Sequence, residues 1–156
     1  MRSGKVDKRK IAPDAIYSSR LITKFINKVM FDGKKTVAQS IVYKALEEIE
    51  KQTGKNPVTV FESALANAAP RMEVRPRRVG GASYQVPVEV RGDRREALGI
   101  RWLITAAKTR GKGQSFYKKL AAELIDAANN TGGAIKKRDD VLRQAESNRA
   151  FSHFRW

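Results

Sequence analysis

Residues 71–91, Arg-Met-Glu-Val-Arg-Pro-Arg-Arg-Val-Gly-Gly-Ala-Ser-Tyr-Gln-Val-Pro-Val-Glu-Val-Arg, interrupt a chain whose apolar residues otherwise recur at helical spacing. On one side Met72 and Val74 alternate with Glu73 and Arg75. On the other, Tyr84, Val86, Val88 and Val90 alternate with Gln85, Pro87, Glu89 and Arg91. This is the period-two pattern of strands with one apolar face. Gly80 and Gly81 supply the turn between them. Pro76 and Pro87 cannot donate to a ladder, so a two-stranded ribbon with open edges is expected, not strands inside a larger sheet. A lone hairpin in water is marginal. This one carries Arg71, Arg75, Arg77, Arg78 and Arg91 against Glu73 and Glu89, which points to a polyanionic partner whose phosphate oxygens match guanidinium forks.

Charge supports that direction. Lys and Arg outnumber Asp and Glu by 32 to 16, a formal net charge of +16 on 156 residues. Such self-repulsion is most easily tolerated beside a negatively charged partner, nucleic acid first among them. No apolar run approaches membrane-spanning length and no secretory leader pattern opens the chain, so an intracellular protein is expected. The absence of cysteine removes disulfides, Cys-ligated zinc, iron–sulfur clusters and thiol nucleophiles. Length and a hydrophobic fraction of 41% suit one core with polar extensions.

The expected organisation is a basic tail over residues 1–14, then a single helical domain over 15–156 carrying the arm at about 72–90. The tail holds Arg2, Lys5, Lys8, Arg9 and Lys10 with little to bury, so it orders only when bound. Six helices are expected. The first covers about 20–31; the second, about 37–52, is capped by Thr36; the third begins at Asn56-Pro57 and stops at Pro70. The fourth opens on a capping box of Asp93 and Glu96 and runs to about 109. The fifth covers about 115–130 and ends at Gly132-Gly133, and the last, about 138–150, begins with Asp139 and Asp140 at its positive end and packs Val141, Leu142 and Ala145. The fold class is mainly α, a six-helix bundle with a protruding two-stranded antiparallel β-hairpin arm.

Arg94, Arg101 and Lys108 recur every seven residues on the fourth helix and, with Arg95, continue the arm's positive surface. Alone such a stripe reads as a solvated helix face; beside an arginine-loaded arm it reads as a phosphate-binding surface. Asp32-Gly33-Lys34-Lys35-Thr36 presents cations and free amides at a helix start, or is a plain helix connection. Phe151, Phe154 and Trp156 lie among His153, Arg149 and Arg155, a mixture that either stacks on bases or, for Phe151 above all, folds back onto the core. Catalysis finds little. Ser115-Phe116-Tyr117-Lys118 matches S-x-x-K without the rest of that signature, so Ser115 reads as a helix cap. Gly111-Lys112-Gly113 lacks a phosphate-loop pattern, and a single histidine without cysteine makes no transition-metal cage. No catalytic residue, cofactor or metal is assigned.

A specific resemblance joins these segments. Phe25-Ile26-Asn27-Lys28-Val29-Met30 with Asp32-Gly33-Lys34-Lys35, Pro70-Arg71-Met72-Glu73-Val74-Arg75, Arg77-Arg78-Val79-Gly80-Gly81, Tyr84-Gln85-Val86-Pro87-Val88-Glu89-Val90, Arg101-Trp102 and Asn148-Arg149-Ala150-Phe151 resemble the small-subunit ribosomal protein seven family, bacterial or organellar type. The resemblance spans nearly the whole chain. It implies a structural protein that binds the 3′ major domain of small-subunit ribosomal RNA, nucleates assembly of the ribosome head and contacts exit-site tRNA. By position it implies ribosomal RNA contacts from Arg2, Lys5, Lys8, Arg9, Lys10, Lys34, Lys35, Arg71, Arg75, Arg77, Arg78, Arg91, Arg94, Arg95, Arg101 and Lys108. The tip, Val79, Gly80, Gly81, Ala82 and Ser83, with Arg143, Asn148 and Arg149, would lie near tRNA. Messenger RNA near the exit channel and ribosomal proteins nine and eleven are implied neighbours, and some members repress their own messenger. The implied location is the cytoplasmic small subunit, or the organelle interior for an organelle-encoded chain, with no membrane. Pro76 departs from the family's small polar residue and Phe154 from its tyrosine. Rival readings are a DNA-bending architectural protein with a β-arm, and an RNA-modifying enzyme, for which no nucleophile, metal set or cofactor loop is present.

Overall fold

The computed structural model describes residue 4, residues 10–111 and residues 113–154. Among them are six α-helices, one two-stranded antiparallel sheet and a short 3₁₀ helix, so the expected mainly α class with a hairpin is what forms. The chain divides into two units, residues 1–40 and 41–156.

In the first unit the Asp14 carboxylate accepts the backbone N–H groups of Ile16 and Tyr17, both at 3.1 Å, forming a local turn ahead of α1, Arg20–Val29. Ile22, Phe25 and Ile26 are its buried residues, an i, i+3, i+4 stripe. The helix stops because Met30 turns extended and Asp32 and Gly33 follow with φ of 50° and 73°. Helix α2, Lys35–Thr53, starts two residues before the expected 37 and runs across the boundary between units, so Thr36 lies inside its first turn.

The second unit is built on α3, Pro57–Ala68, α4, Gly92–Thr109, and α5, Phe116–Ala128, which pack on one another. Asn56 Oδ1 accepts the Val58 N–H at 2.9 Å and Pro57 occupies the first turn, as the sequence predicts. Phe61, Leu65, Ile100, Leu103, Leu120 and Leu124 fill the core. A Cβ on Gly99 would stand 2.9 Å from Leu65 Cδ1, so the missing side chain is what lets α4 approach α3.

Two further helix starts differ from expectation, each for a traceable reason. Helix α4 is already closed by the Arg95 N–H to Arg91 carbonyl bond at 2.8 Å, so Arg91 is the N-cap and Asp93 lies within the first turn instead of capping it. Ser115 does occupy the N-cap of α5, but its side chain makes no capping hydrogen bond. The last helix, α6, is Gly133–Ser147, five residues earlier than expected. Gly132 is therefore its N-cap and not the end of α5, which finishes at Ala128 with Asn129 as its C-cap; Asp139 and Asp140 fall in the helix interior. Ala134, Ile135 and Ala145 anchor α6, while Leu142 is exposed.

The early start of α6 is stabilised from a distance. Glu123 of α5, only 2% exposed, accepts the buried Ala134 N–H at 2.9 Å and the Arg110 guanidinium at 2.8 Å; Arg110 also pairs with Asp126. A carboxylate near the first amides of a helix satisfies an orphan donor and complements the helix dipole.

Candidate nucleic-acid interface

The arm consists of β1, Met72–Val79, and β2, Ala82–Glu89, joined by Gly80 and Gly81 at φ of 57° and 88°. Two successive left-handed residues make the mirror-image turn that matches strand twist, and glycine adopts it without strain. That two-residue loop pairs Val79 with Ala82, Arg77 with Tyr84, Arg75 with Val86 and Glu73 with Val88. Opposed residues share a face. Glu73, Arg75 and Arg77 therefore lie on the face of Tyr84, Val86 and Val88, and Met72 and Val74 lie on the other. The single apolar face expected from the two alternations is not what forms. Val86 is buried on one face and Pro87 on the other, and Glu73 is buried as well.

Burying Glu73 requires cations, and two provide them. Its carboxylate, 9% exposed, accepts Arg75 Nε and Nη2 at 2.6 Å on Oε1. It also accepts Arg94 Nε at 2.9 and 2.8 Å and Arg94 Nη2 at 2.8 Å. The guanidiniums themselves stay about half exposed, 50% and 52%. One acid thus ties the arm's base to the first turn of α4 and holds two arginine forks at the surface with a net charge of one. Each fork has five donors, so donors remain for phosphate oxygens.

Around this clamp, Arg77 and Arg78 are exposed farther along β1, and Arg94, Arg101 and Lys108 are exposed in sequence along α4. Arg71 and Arg91 are exposed at the two roots of the arm. Arg95 differs: it is half-buried and lines a cavity with Arg71. The tip residues Gly80, Gly81, Ala82 and Ser83 are exposed and uncharged, and Val79 is half-buried. Helix α6 contacts both strands, and the C-terminal 3₁₀ helix, Arg149–Phe154, contacts β2. Tyr84 packs against Phe151 and Phe154 with ring centroids 5.3 and 4.9 Å apart, so these two rings fold back, but onto the arm and half-buried instead of completing the core. Phenylalanine at 154 fills this contact without a hydroxyl. Arg143 and Arg149 are exposed, and Asn148 caps α6 while its side-chain amide donates to the Gln144 carbonyl at 2.8 Å.

In the first unit, Lys34 and Lys35 are exposed at the start of α2, and Lys10 lines a hollow with Ile11, Arg20 and Lys24. Arg20 and Lys24 escaped the sequence reading because each falls on an ordinary amphipathic helix. Arg2, Lys5, Lys8 and Arg9, with Lys112, Arg155 and Trp156, lie outside the described residues. Among the described residues no group of three or more acids or histidines is placed to hold a metal, and no helix is long and apolar enough to cross a membrane.

The family description Ribosomal protein S7p/S5e matches residues 1–149. The chain belongs to this family. It is a family of structural, non-enzymatic proteins of the ribosome. Curated relatives named small ribosomal subunit protein uS7 are similar along their whole length. That of Caldicellulosiruptor bescii is 58% identical over 155 residues, covering 99% of each chain. Those of Moorella thermoacetica and Thermoanaerobacter pseudethanolicus are 59% and 57% identical over the same span, again 99% of each chain.

Proposed function

We propose that this family member is a primary RNA-binding protein of the small subunit. It grips the 3′ major domain of ribosomal RNA through the arm and α4, helps organise the head, and brings the arm's tip and the end of α6 close to exit-site tRNA. The observation that carries this reading is the Glu73 clamp, which places the Arg75 and Arg94 forks side by side on a surface continued by Arg77, Arg78, Arg101 and Lys108. Pre-oriented forks lose less entropy on binding phosphate than free ones. Lys34, Lys35 and the basic residues of the tail add further phosphate contacts. Recognition is by backbone and shape, because an A-form groove leaves little base edge within reach of such an arm. The uncharged tip, adjoining Arg143, Asn148 and Arg149, lies beside tRNA without holding it. Messenger RNA at the exit channel and ribosomal proteins nine and eleven are the neighbours of that face, and the RNA surface also serves for repression of the protein's own messenger.

The test is filter binding of the isolated RNA domain across salt. If about 6 to 10 phosphates are contacted, affinity falls by about 10³ to 10⁵ between 50 and 200 mM salt. The double change Arg77→Ala, Arg78→Ala weakens binding and lowers that salt slope by about 2 while leaving the melting temperature in place. A flat salt response, or unchanged affinity in the double variant, would refute the arm as an RNA grip.

A further inference from the structure

Phe31 is 77% exposed, more than any other large apolar side chain among the described residues. Single exposed apolar residues are common, so exposure alone decides nothing. Its placement does. Helix α1 ends at Val29, and its buried stripe of Ile22, Phe25 and Ile26 is complete before Phe31 is reached. Met30 leaves the helix at ψ of 135° after its N–H has bonded to the Ile26 carbonyl at 2.9 Å. Asp32 and Gly33 then take φ of 50° and 73°, and the Lys34 N–H closes the turn on the Phe31 carbonyl at 3.0 Å. Two left-handed residues inside one hydrogen-bonded turn fix the backbone, so the ring stands at a defined corner of the first unit with most of its surface in solvent.

Around that corner the charged side chains are mostly cations. Lys28, Lys34 and Lys35 are exposed on either side of Phe31 in sequence, with Asp32 the one acid among them, and Val37 adds a second apolar side chain, 54% exposed, in the first turn of α2. The turn holds the Cα atoms of Phe31 and Lys34 within about 7 Å, a spacing that one nucleotide covers between its base and its phosphate. A purely apolar partner would have to desolvate these ammonium groups without compensating them. A nucleotide meets both demands, since its base offers a π-face to the ring and its phosphate an anion to the lysines. Paired bases keep their faces inside the duplex, so the base must be unpaired. We propose that Phe31 is a stacking platform for one unpaired base of the bound RNA, with Lys34 and Lys35 on the adjoining phosphates. The inference rests on the RNA-binding reading above and goes beyond it in kind. That reading uses charge and backbone shape and already includes Lys34 and Lys35, whereas the ring adds a base contact that salt does not screen.

The experiment compares the full chain with Phe31→Ala, Phe31→Leu and Phe31→Trp in filter binding to the RNA domain across 50 to 200 mM salt, with thermal melts as a control for folding. The ring is exposed, so the melting temperature is expected to stay in place in all three. Phe31→Ala is expected to bind roughly five- to 150-fold more weakly, the usual worth of one base stacked on an aromatic side chain. Its salt slope stays that of the wild type, whereas Lys34→Ala with Lys35→Ala lowers the slope by about 2. Leucine is apolar but has no π-face, so Phe31→Leu loses as much as Phe31→Ala; Phe31→Trp binds at least as well as the wild type. Adding RNA to Phe31→Trp also quenches more indole fluorescence than in the wild type, where Trp102 and Trp156 set the background. If Phe31→Ala binds like the wild type while the wild type binds RNA well, the platform is overturned and the charge field stands. Wild-type affinity in Phe31→Leu would overturn stacking in favour of plain apolar packing. A loss in Phe31→Ala that arises only once other small-subunit proteins are bound to the RNA would assign the ring to a protein neighbour and overturn it equally. If the wild type itself does not bind, the RNA reading is overturned and the platform with it.

Discussion

Replacing Glu73 by glutamine separates two accounts of how the arm binds RNA, because they predict opposite signs. If only the number of charges matters, removing an acid from a cationic face strengthens binding. At about 6 Å from a phosphate in water-like dielectric, the repulsion removed is about 0.7 kcal/mol, a roughly three-fold gain. The clamp argues the reverse. Glu73 accepts from both Arg75 and Arg94 at 2.6 to 2.9 Å, and the neutral amide cannot hold two forks with one carbonyl oxygen. Each released arginine must be ordered anew when it meets phosphate, at about 1 kcal/mol of the roughly 2 kcal/mol its rotamers carry. Two of them cost about 2 kcal/mol, which less the electrostatic gain leaves RNA binding about ten-fold weaker. Filter binding at 100 mM salt reads this directly, with a salt series to show that the slope is not reduced. The exposure of both guanidiniums limits the stability loss to about 1 kcal/mol. Equal or tighter binding by Glu73→Gln would show that the clamp does not preorganise the surface.

Three further outcomes follow from other parts of the fold. Arg110→Met strips the buried Glu123 carboxylate of its counter-charge and should cost about 3 kcal/mol in denaturant unfolding; a loss below about 1 kcal/mol would mean the Ala134 amide alone satisfies Glu123. Gly81→Val forces a β-branched residue to φ of 88°, so NMR of the hairpin should show the Val79–Ala82 pairing at the tip disappear while α3 to α5 are unchanged, and survival of that pairing would refute the turn's need for glycine. Tyr84→Ala removes two ring contacts, each worth about 0.5 to 1.5 kcal/mol beyond area, so hydrogen exchange at residues 149–154 should accelerate; unchanged protection there would show that α6 alone holds the 3₁₀ helix.

The arm was the most legible element. Alternation, two prolines and a Gly-Gly turn specify a two-stranded ribbon, because each constrains the backbone locally. Its faces do not follow from the alternation alone. Met72 and Val74 have even numbers, and so do Tyr84, Val86 and Val88, but a two-residue loop always pairs an even position with an odd one. The apolar residues of the two strands therefore go to opposite faces, and Glu73 is carried into the protein. Helices 3 and 5 lie close to where periodicity places them, since Asn56, Pro57 and Pro70 act within a few residues. The start of helix 6 is not legible locally, because it depends on Glu123, ten residues before Gly133 and on another helix.

By itself, then, the amino-acid order determined which segments are helix or strand, where the hairpin turns, and that the arm is cationic, but not where the last helix begins. Those properties follow from backbone preference, spacing and summed charge, none of which needs a distant neighbour. Tertiary structure decided which arginines remain open, which are clamped on Glu73, and which line the cavity behind the arm. The physical reason is that a guanidinium's availability depends on the acceptors within 3 Å, and Arg94 finds its acceptor 21 residues away in sequence.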